Sequence, residues 1–473
     1  MSEPRNRARR AAPLLLLLVA AGFGCAPTDN VIGATLGGRL AGAAGNGGEG
    51  ETTGGGLTTA GGGTTAGGGT GNSHGGTAGL VPSGSSGAGG SDGSLLAAGG
   101  TAGLGGPLAG SGGRVSTGPI GDGAFLAPVT YPTGKSPLSL ALGDLNADGR
   151  LDLVVANRGD GSVSALLGMA NGAFAARVDL AIAATANWVA LGDLNSDRAL
   201  DLAVATYDGD TAKISLGRGD GSFGPIAAVP GSEVTFSVTL GDVNNDGKLD
   251  LVTSPGVGVG VGDSTSVSLT GAFLGDGAGQ FAEGLASTVQ SYSVALADIN
   301  HDGKLDLARV NSAADTVSIL FGMGDGSFAL GDLYETGKHP IFVALGDLNS
   351  DDQIDMLTAD SSSNAVGVYL GTGHGEFAAR VGYGVGTYPS HVALADLNGD
   401  HYLDVLVVNT YASSVSVRYG VGDGTLTAGV DYEAGQFPEM SAVGDLNADG
   451  IPDFVVVNSQ SNNVSVFLGA AAP

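Results

Sequence analysis

From about residue 118 onward, short apolar runs alternate with turns rich in Gly, Asp and Asn. The first unit shows four of them: residues 138–142, 151–156, 163–167 and, after a turn at 168–172, residues 174–178. The runs are rich in Val and Leu, too short for helices, and no capped helical stretch interrupts them, so they predict strands. The unit recurs seven times. Its marker, Gly-Asp-Leu-Asn or a near variant, places aspartates at 144, 193, 242, 298, 347, 396 and 445, at intervals of 49, 49, 56, 49, 49 and 49 residues. Four short strands repeated with a period near 50 predict an all-β fold, a seven-bladed β-propeller with four-stranded blades.

The two ends of the repeat region complement each other. Residues 121–125, Gly-Asp-Gly-Ala-Phe, read as the opening of a fourth strand with no blade before it, and residues 464–469 read as a third strand with no fourth after it. The segment from about Phe125 to Tyr131 is therefore expected to complete the last blade and close the ring, since an open array would leave two sheet edges unpaired. The third unit carries seven extra residues net. An insertion at about 255–263 lengthens the hairpin between its second and third strands, and the connection from 281 to 298 is two residues shorter than its counterparts.

Ahead of the repeats the pattern disappears. Residues 25–117 are dominated by Gly, Ser, Thr and Ala, with too few large apolar residues to offset chain entropy by burial, and predict a flexible tether. Residues 1–24 combine Arg5, Arg7, Arg9 and Arg10 with an apolar core at 14–21, which reads as an export signal too short to span a bilayer. The chain thus divides into a signal (1–24), a linker (25–117) and a propeller (118–473). Cys25 is the only cysteine, so no intramolecular disulfide is available. The run Gly22-Phe23-Gly24-Cys25 resembles a bacterial lipoprotein cleavage box, in which the cysteine is lipidated and becomes the first residue; that family usually has Leu where Gly22 stands. The expectation is a monomer exported to the cell envelope or surface and held to a bacterial membrane by lipid alone. A formal charge of −28 argues against nucleic acid or an anionic lipid surface as partner.

Much of that charge recurs at fixed spacing. Each unit contains Asp-x-Asn-x-Asp-x-x-x-Asp: Asp144, Asn146, Asp148, Asp152; Asp193, Asn195, Asp197, Asp201; Asp242, Asn244, Asp246, Asp250; Asp298, Asn300, Asp302, Asp306; Asp347, Asn349, Asp351, Asp355; Asp396, Asn398, Asp400, Asp404; and Asp445, Asn447, Asp449, Asp453. Positions 1, 3 and 5 match the start of an EF-hand loop, position 7 would offer a backbone carbonyl, and the bidentate Glu of position 12 is missing. An all-oxygen set on a flexible loop favours Ca²⁺ over Zn²⁺ or Mg²⁺. An Asx-turn that merely caps its own backbone needs one or two such residues, not four. Up to seven structural calcium ions are expected, between the first and second strand of every blade. Position 6 calls for a left-handed residue. Gly149, Gly247, Gly303 and Gly450 supply it, while Arg198, Asp352 and His401 stand there in the other loops, and Arg198 should make the second site the weakest. Loss of residues 1–24 takes the charge from −28 to −31, and seven divalent ions would bring it to −17.

Together with the Phe-bearing turns, such as 217–223, 322–328 and 371–377, these loops resemble FG-GAP and VCBS repeat proteins, a group that includes the integrin α-subunit propeller and certain fungal lectins. The resemblance covers residues 118–469. It implies metal loops on one face and ligand contacts on the other, at the connections between blades and the second-to-third strand hairpins. There it would place Asn157, Tyr207, Asn311, Asn409, Tyr411 and Asn458, with Tyr131, Tyr334, Tyr383 and Tyr432, as contacts to a protein or glycan or as turn and rim packing. Two Arg-Gly-Asp triplets, 158–160 and 218–220, fall where the repeat demands Gly-Asp-Gly turns. Trp188, the only tryptophan, suits inter-blade packing better than sugar stacking. The six histidines have no ligand or triad spacing, and no Gly-x-Ser-x-Gly, catalytic Glu pair or phosphate loop appears. The reading is a calcium-bearing binding or adhesion module displayed on a stalk. A polysaccharide-acting enzyme and a purely structural surface protein are the alternatives.

Overall fold

The computed structural model describes residues 121–207, 212–232, 235–254, 270–287 and 291–471. The export signal, Cys25, the linker and the insertion at 255–263 lie outside the described residues. Among the described residues every regular element is a strand, and no helix is long and apolar enough to cross a membrane.

The first blade is built from Pro137–Gly143, Asp152–Asn157, Ser162–Leu166 and Val178–Ala181, paired antiparallel in chain order. Gly143 faces Asp152 at one end of the first hairpin, and Asn157 faces Ser162 at the opposite end of the second. The next five blades repeat this order. In blade 1 the second and third strands are buried throughout and the inner strand almost throughout, because neighbouring blades cover both faces, which explains continuous apolar runs where a one-sided sheet would alternate. Ala141, Val154, Val189 and Val204 fill the seam between blades 1 and 2, and each fully buried Val contributes about 1.5–3 kcal/mol. Outer strands such as Val178–Ala181 are mostly exposed.

The ring closes as the two ends of the repeat region predict. Val129–Pro132 pairs with Asn463–Phe467 as the outer strand of blade 7, and the inner strand of blade 7, Pro438–Gly444, lies beside that of blade 1. One boundary differs from the sequence reading. Phe174 does not open the outer strand, which starts at Val178; it bridges back to Gly168 instead. Phe125 likewise belongs to a separate ribbon, Gly121–Phe125 with Gly469–Ala471, ahead of the closing strand. The rings explain the detour. Phe174 packs edge-on against Tyr131 of blade 7 at 5.5 Å, and Phe125 against Tyr432 of blade 6 at 5.5 Å, so each is drawn into a seam before the chain reaches the rim. In blades 3 and 4 the Phe does open the strand, at Phe281–Ser287 and Phe328–Glu335, with a bulge in the pairing.

Candidate metal centre

All seven Asp-rich loops lie between first and second strands, so antiparallel order brings them to one side of the ring. Each folds in the same way. In the first, Asp144 Oδ1 accepts the N–H groups of Asn146 (3.3 Å) and Asp148 (3.1 Å), and Oδ2 accepts that of Gly149 (2.8 Å). Asn146 Oδ1 accepts the Asp148 N–H at 3.0 Å, and Asp148 Oδ1 the Arg150 N–H at 3.0 Å. Position 6 is left-handed in every loop, with φ of 81° at Gly149, 74° at Arg198, 63° at Asp352 and 72° at His401. Position 4 is left-handed too, at Ala147, Ser196, Asn245, His301, Ser350, Gly399 and Ala448. Residue types alone do not point to this second twist, since only one of those residues is Gly.

Position 9 is wholly buried in all seven loops. Asp152 Oδ2 accepts the Leu145 N–H at 2.9 Å and Oδ1 the Gly168 N–H at 2.7 Å, which ties the loop to the end of the third strand. Only glycine suits position 168: a Cβ there would lie 2.2 Å from the Leu151 carbonyl oxygen. Asp201, Asp250, Asp306, Asp355, Asp404 and Asp453 repeat both bonds. Burial pushes all seven carboxyls up, against the pull of these N–H groups, and neighbouring loop carboxylates add to the rise; Asp306, Asp355, Asp404 and Asp453 reach about 6.

Among the described residues no three carboxylate, imidazole or thiol groups converge as a formed metal cage. The carboxylates turn instead onto backbone N–H groups or nearby cations. Arg150 pairs with Asp148, Lys248 with Asp246 at 3.4 Å and Lys304 with Asp302 at 3.2 Å. The donor chemistry suits a hard divalent cation: four oxygen-bearing side chains per loop, three of them carboxylates, one buried with its charged form disfavoured.

The side away from these loops holds mostly structural groups. Asn157, Asn409 and Asn458 are fully buried and donate Nδ2 across their own hairpins, Asn157 to Ser164 at 2.8 Å, Asn409 to Ser416 at 2.9 Å and Asn458 to Ser465 at 2.9 Å. Asn311 does the same to Ser318 at 2.8 Å. Tyr131, Tyr334 and Tyr432 stack edge-on with Phe174, Phe377 and Phe125 between blades, and Tyr383 packs against the main apolar core. Tyr207 lies under the Arg158 guanidinium at 5.5 Å. Trp188 is buried and stacks on Phe342 of blade 5 at 6.3 Å, which in turn meets His391 of blade 6 at 4.2 Å. Blades 2 and 5 are not neighbours, so these inner-strand side chains fill the middle of the ring and Trp188 is not available to a ligand. Tyr411 is different: it is 40% exposed.

Seven four-stranded blades in a closed ring, each with an Asp-rich loop at the same corner, define a repeat β-propeller. The propeller carries FG-GAP-like repeats: the model of that repeat matches residues 144–204, 193–253 and 347–407. Such a propeller is, at a coarse level, a binding or adhesion-type module. No curated protein matches the sequence. Among solved structures, BBS1N in complex with ARL6DN is 11% identical, with 74% of this chain and 98% of that chain covered and a TM-score of 0.53. A functionally unknown protein from Desulfotomaculum acetoxidans is 13% identical, covers 67% and 94%, and has a TM-score of 0.51. A lectin from Agrocybe aegerita, described as recognising non-reducing terminal N-acetylglucosamine, is 18% identical over 64% and 80%, at a TM-score of 0.44. At these identities the likeness to the first two is one of fold.

Proposed function

We propose that this module is exported, holds Ca²⁺ in its Asp-rich loops, and presents the opposite side of the ring to a protein or glycan ligand at the cell surface. The observation that carries the calcium reading is the sevenfold burial of the position-9 carboxylate beside two further carboxylates of its own loop. Burial opposes ionisation of such a group, and a divalent cation reverses that balance. The residues that would hold the ion in the first loop are Asp144, Asn146, Asp148 and Asp152, with the carbonyl at position 7, and their counterparts do the same in the other six. The ion's contribution is structural: it neutralises the loop and fixes the turn between inner and second strands, while the chain's own N–H groups orient the carboxylates.

Calorimetric titration of chelator-treated protein with Ca²⁺ is expected to show several sites, the second loop filling last because Arg198 brings a cation to it. A trace with no binding heat and no calcium retained after dialysis contradicts the reading. Export and anchoring rest on the basic and apolar N-terminus and on Cys25. Cys25→Ser should abolish membrane fractionation and labelling by a fatty-acid analogue, and persistence of either removes the lipid anchor.

A further inference from the structure

We propose that a corner between blades 6 and 7, walled by Tyr411 and Phe437, takes a neutral saccharide ring. This rests on reading the side opposite the Asp loops as the ligand side. Tyr411 lies in the hairpin between Asp404–Asn409 and Ser414–Arg418, the second and third strands of blade 6. Tyr388 and Phe437 immediately precede the inner strands of blades 6 and 7, Pro389–Ala395 and Pro438–Gly444, at the ends away from the Asp loops. The Tyr411 ring stacks on Tyr388 at 4.3 Å and 25° and meets Phe437 at 5.5 Å and 60°. The platform is pinned, since the Tyr411 N–H donates to the Thr387 carbonyl at 3.2 Å and the Thr410 N–H to that of Tyr388 at 2.9 Å.

The turn itself does not call for an aromatic ring. Tyr388 and Phe437 have φ of 59° and 53°, and His339 takes 53° at the matching turn of blade 5. The chain places Gly at many other left-handed positions, and at the matching turn of blade 1 it uses Ser136. Tyr388 and Phe437 are half-buried and touch a third aromatic, Tyr411, that is 40% exposed.

The chemistry of the corner selects the ligand. The two stacked tyrosines leave no gap between them for a cation, but the exposed Tyr411 ring and the tilted Phe437 ring offer apolar faces that match the C–H face of a sugar. The chain's charge of −28 disfavours acidic polysaccharides.

The test titrates the full chain calorimetrically with cellohexaose, maltohexaose, mannohexaose and an oligogalacturonate, with choline as a cationic probe. At least one neutral oligosaccharide should bind, Tyr411→Ala should weaken it about tenfold or more, and Tyr411→Phe should keep it within about threefold. Tyr411 is exposed, so the alanine variant should fold, which its unchanged melting temperature would verify. Equal binding by wild type and Tyr411→Ala overturns the corner while leaving a glycan-binding module intact. Binding of choline or oligogalacturonate in place of neutral sugars overturns the ligand class. Failure of every sugar while a protein partner is found overturns the inference alone, and failure of both overturns the ligand-binding reading with it.

Discussion

Asp453 is held by the N–H groups of Leu446 and Gly469 at 2.9 and 2.7 Å, yet its carboxyl is pushed up to about 6 because burial outweighs two backbone donors. Asp306, Asp355 and Asp404 behave alike. A carboxyl that holds its proton more tightly when folded than when unfolded favours the folded state at low pH, and that contribution is lost as pH rises from the ordinary value of 3.8 through 6. In the presence of chelator the melting temperature should therefore fall between about pH 4 and pH 6 and level off above that, and added Ca²⁺ should remove the fall by competing with the proton. A chelated protein whose melting temperature is flat or rises over that interval contradicts this account of position 9. Glu439 adds in the same direction, since burial pushes it to about 7.

Between one blade and the next the same element is built by different means, and blade 5 shows how. Where blades 1, 4, 6 and 7 place Asn against hairpin hydroxyls, it has Asp360, wholly buried and bonded by Arg380 at 2.6 and 3.2 Å and by the Thr358 hydroxyl at 2.9 Å. Gly367 makes room, since a Cβ there would lie 2.6 Å from Arg380 Nε. Arg380 also borders a cavity of about 360 Å³ shared with Tyr334 and Tyr369 at the seam with blade 4. Arg380→Met strips a buried carboxylate of its cation and should cost on the order of 3 kcal/mol. Arg177→Met breaks only a half-exposed contact to Asp179 at 3.4 Å and should cost under about 1 kcal/mol. Chemical denaturation of both variants measures the difference, and equal losses refute the buried-pair explanation. The blade count, strand order, loop position and ring closure were legible in the sequence because each follows from spacing that recurs seven times. What was not legible depends on contacts between units: Phe174 and Phe125 drawn into seams, Trp188 meeting Phe342 across the ring, and Arg380 compensating Asp360 all join residues whose partners no local pattern specifies.

Across the whole molecule the ring concentrates its acidic loops on one side. It gathers seven buried carboxylates, each within a loop of three, in a chain of net charge −28. Inter-blade packing of Val, Leu and Phe holds the ring against that repulsion, and divalent cations are proposed to relieve it. Opposite, the same strand order leaves a quieter surface of buried Asn and strained aromatic turns, where the ligand is proposed to sit. The measurement that bears most directly on this division is calorimetric unfolding of the protein with Ca²⁺ in excess and again with chelator. The account predicts a melting temperature lower by about 10 °C or more without calcium, because several sites filled only in the folded state add their binding free energies. Identical transitions in the two conditions would contradict it.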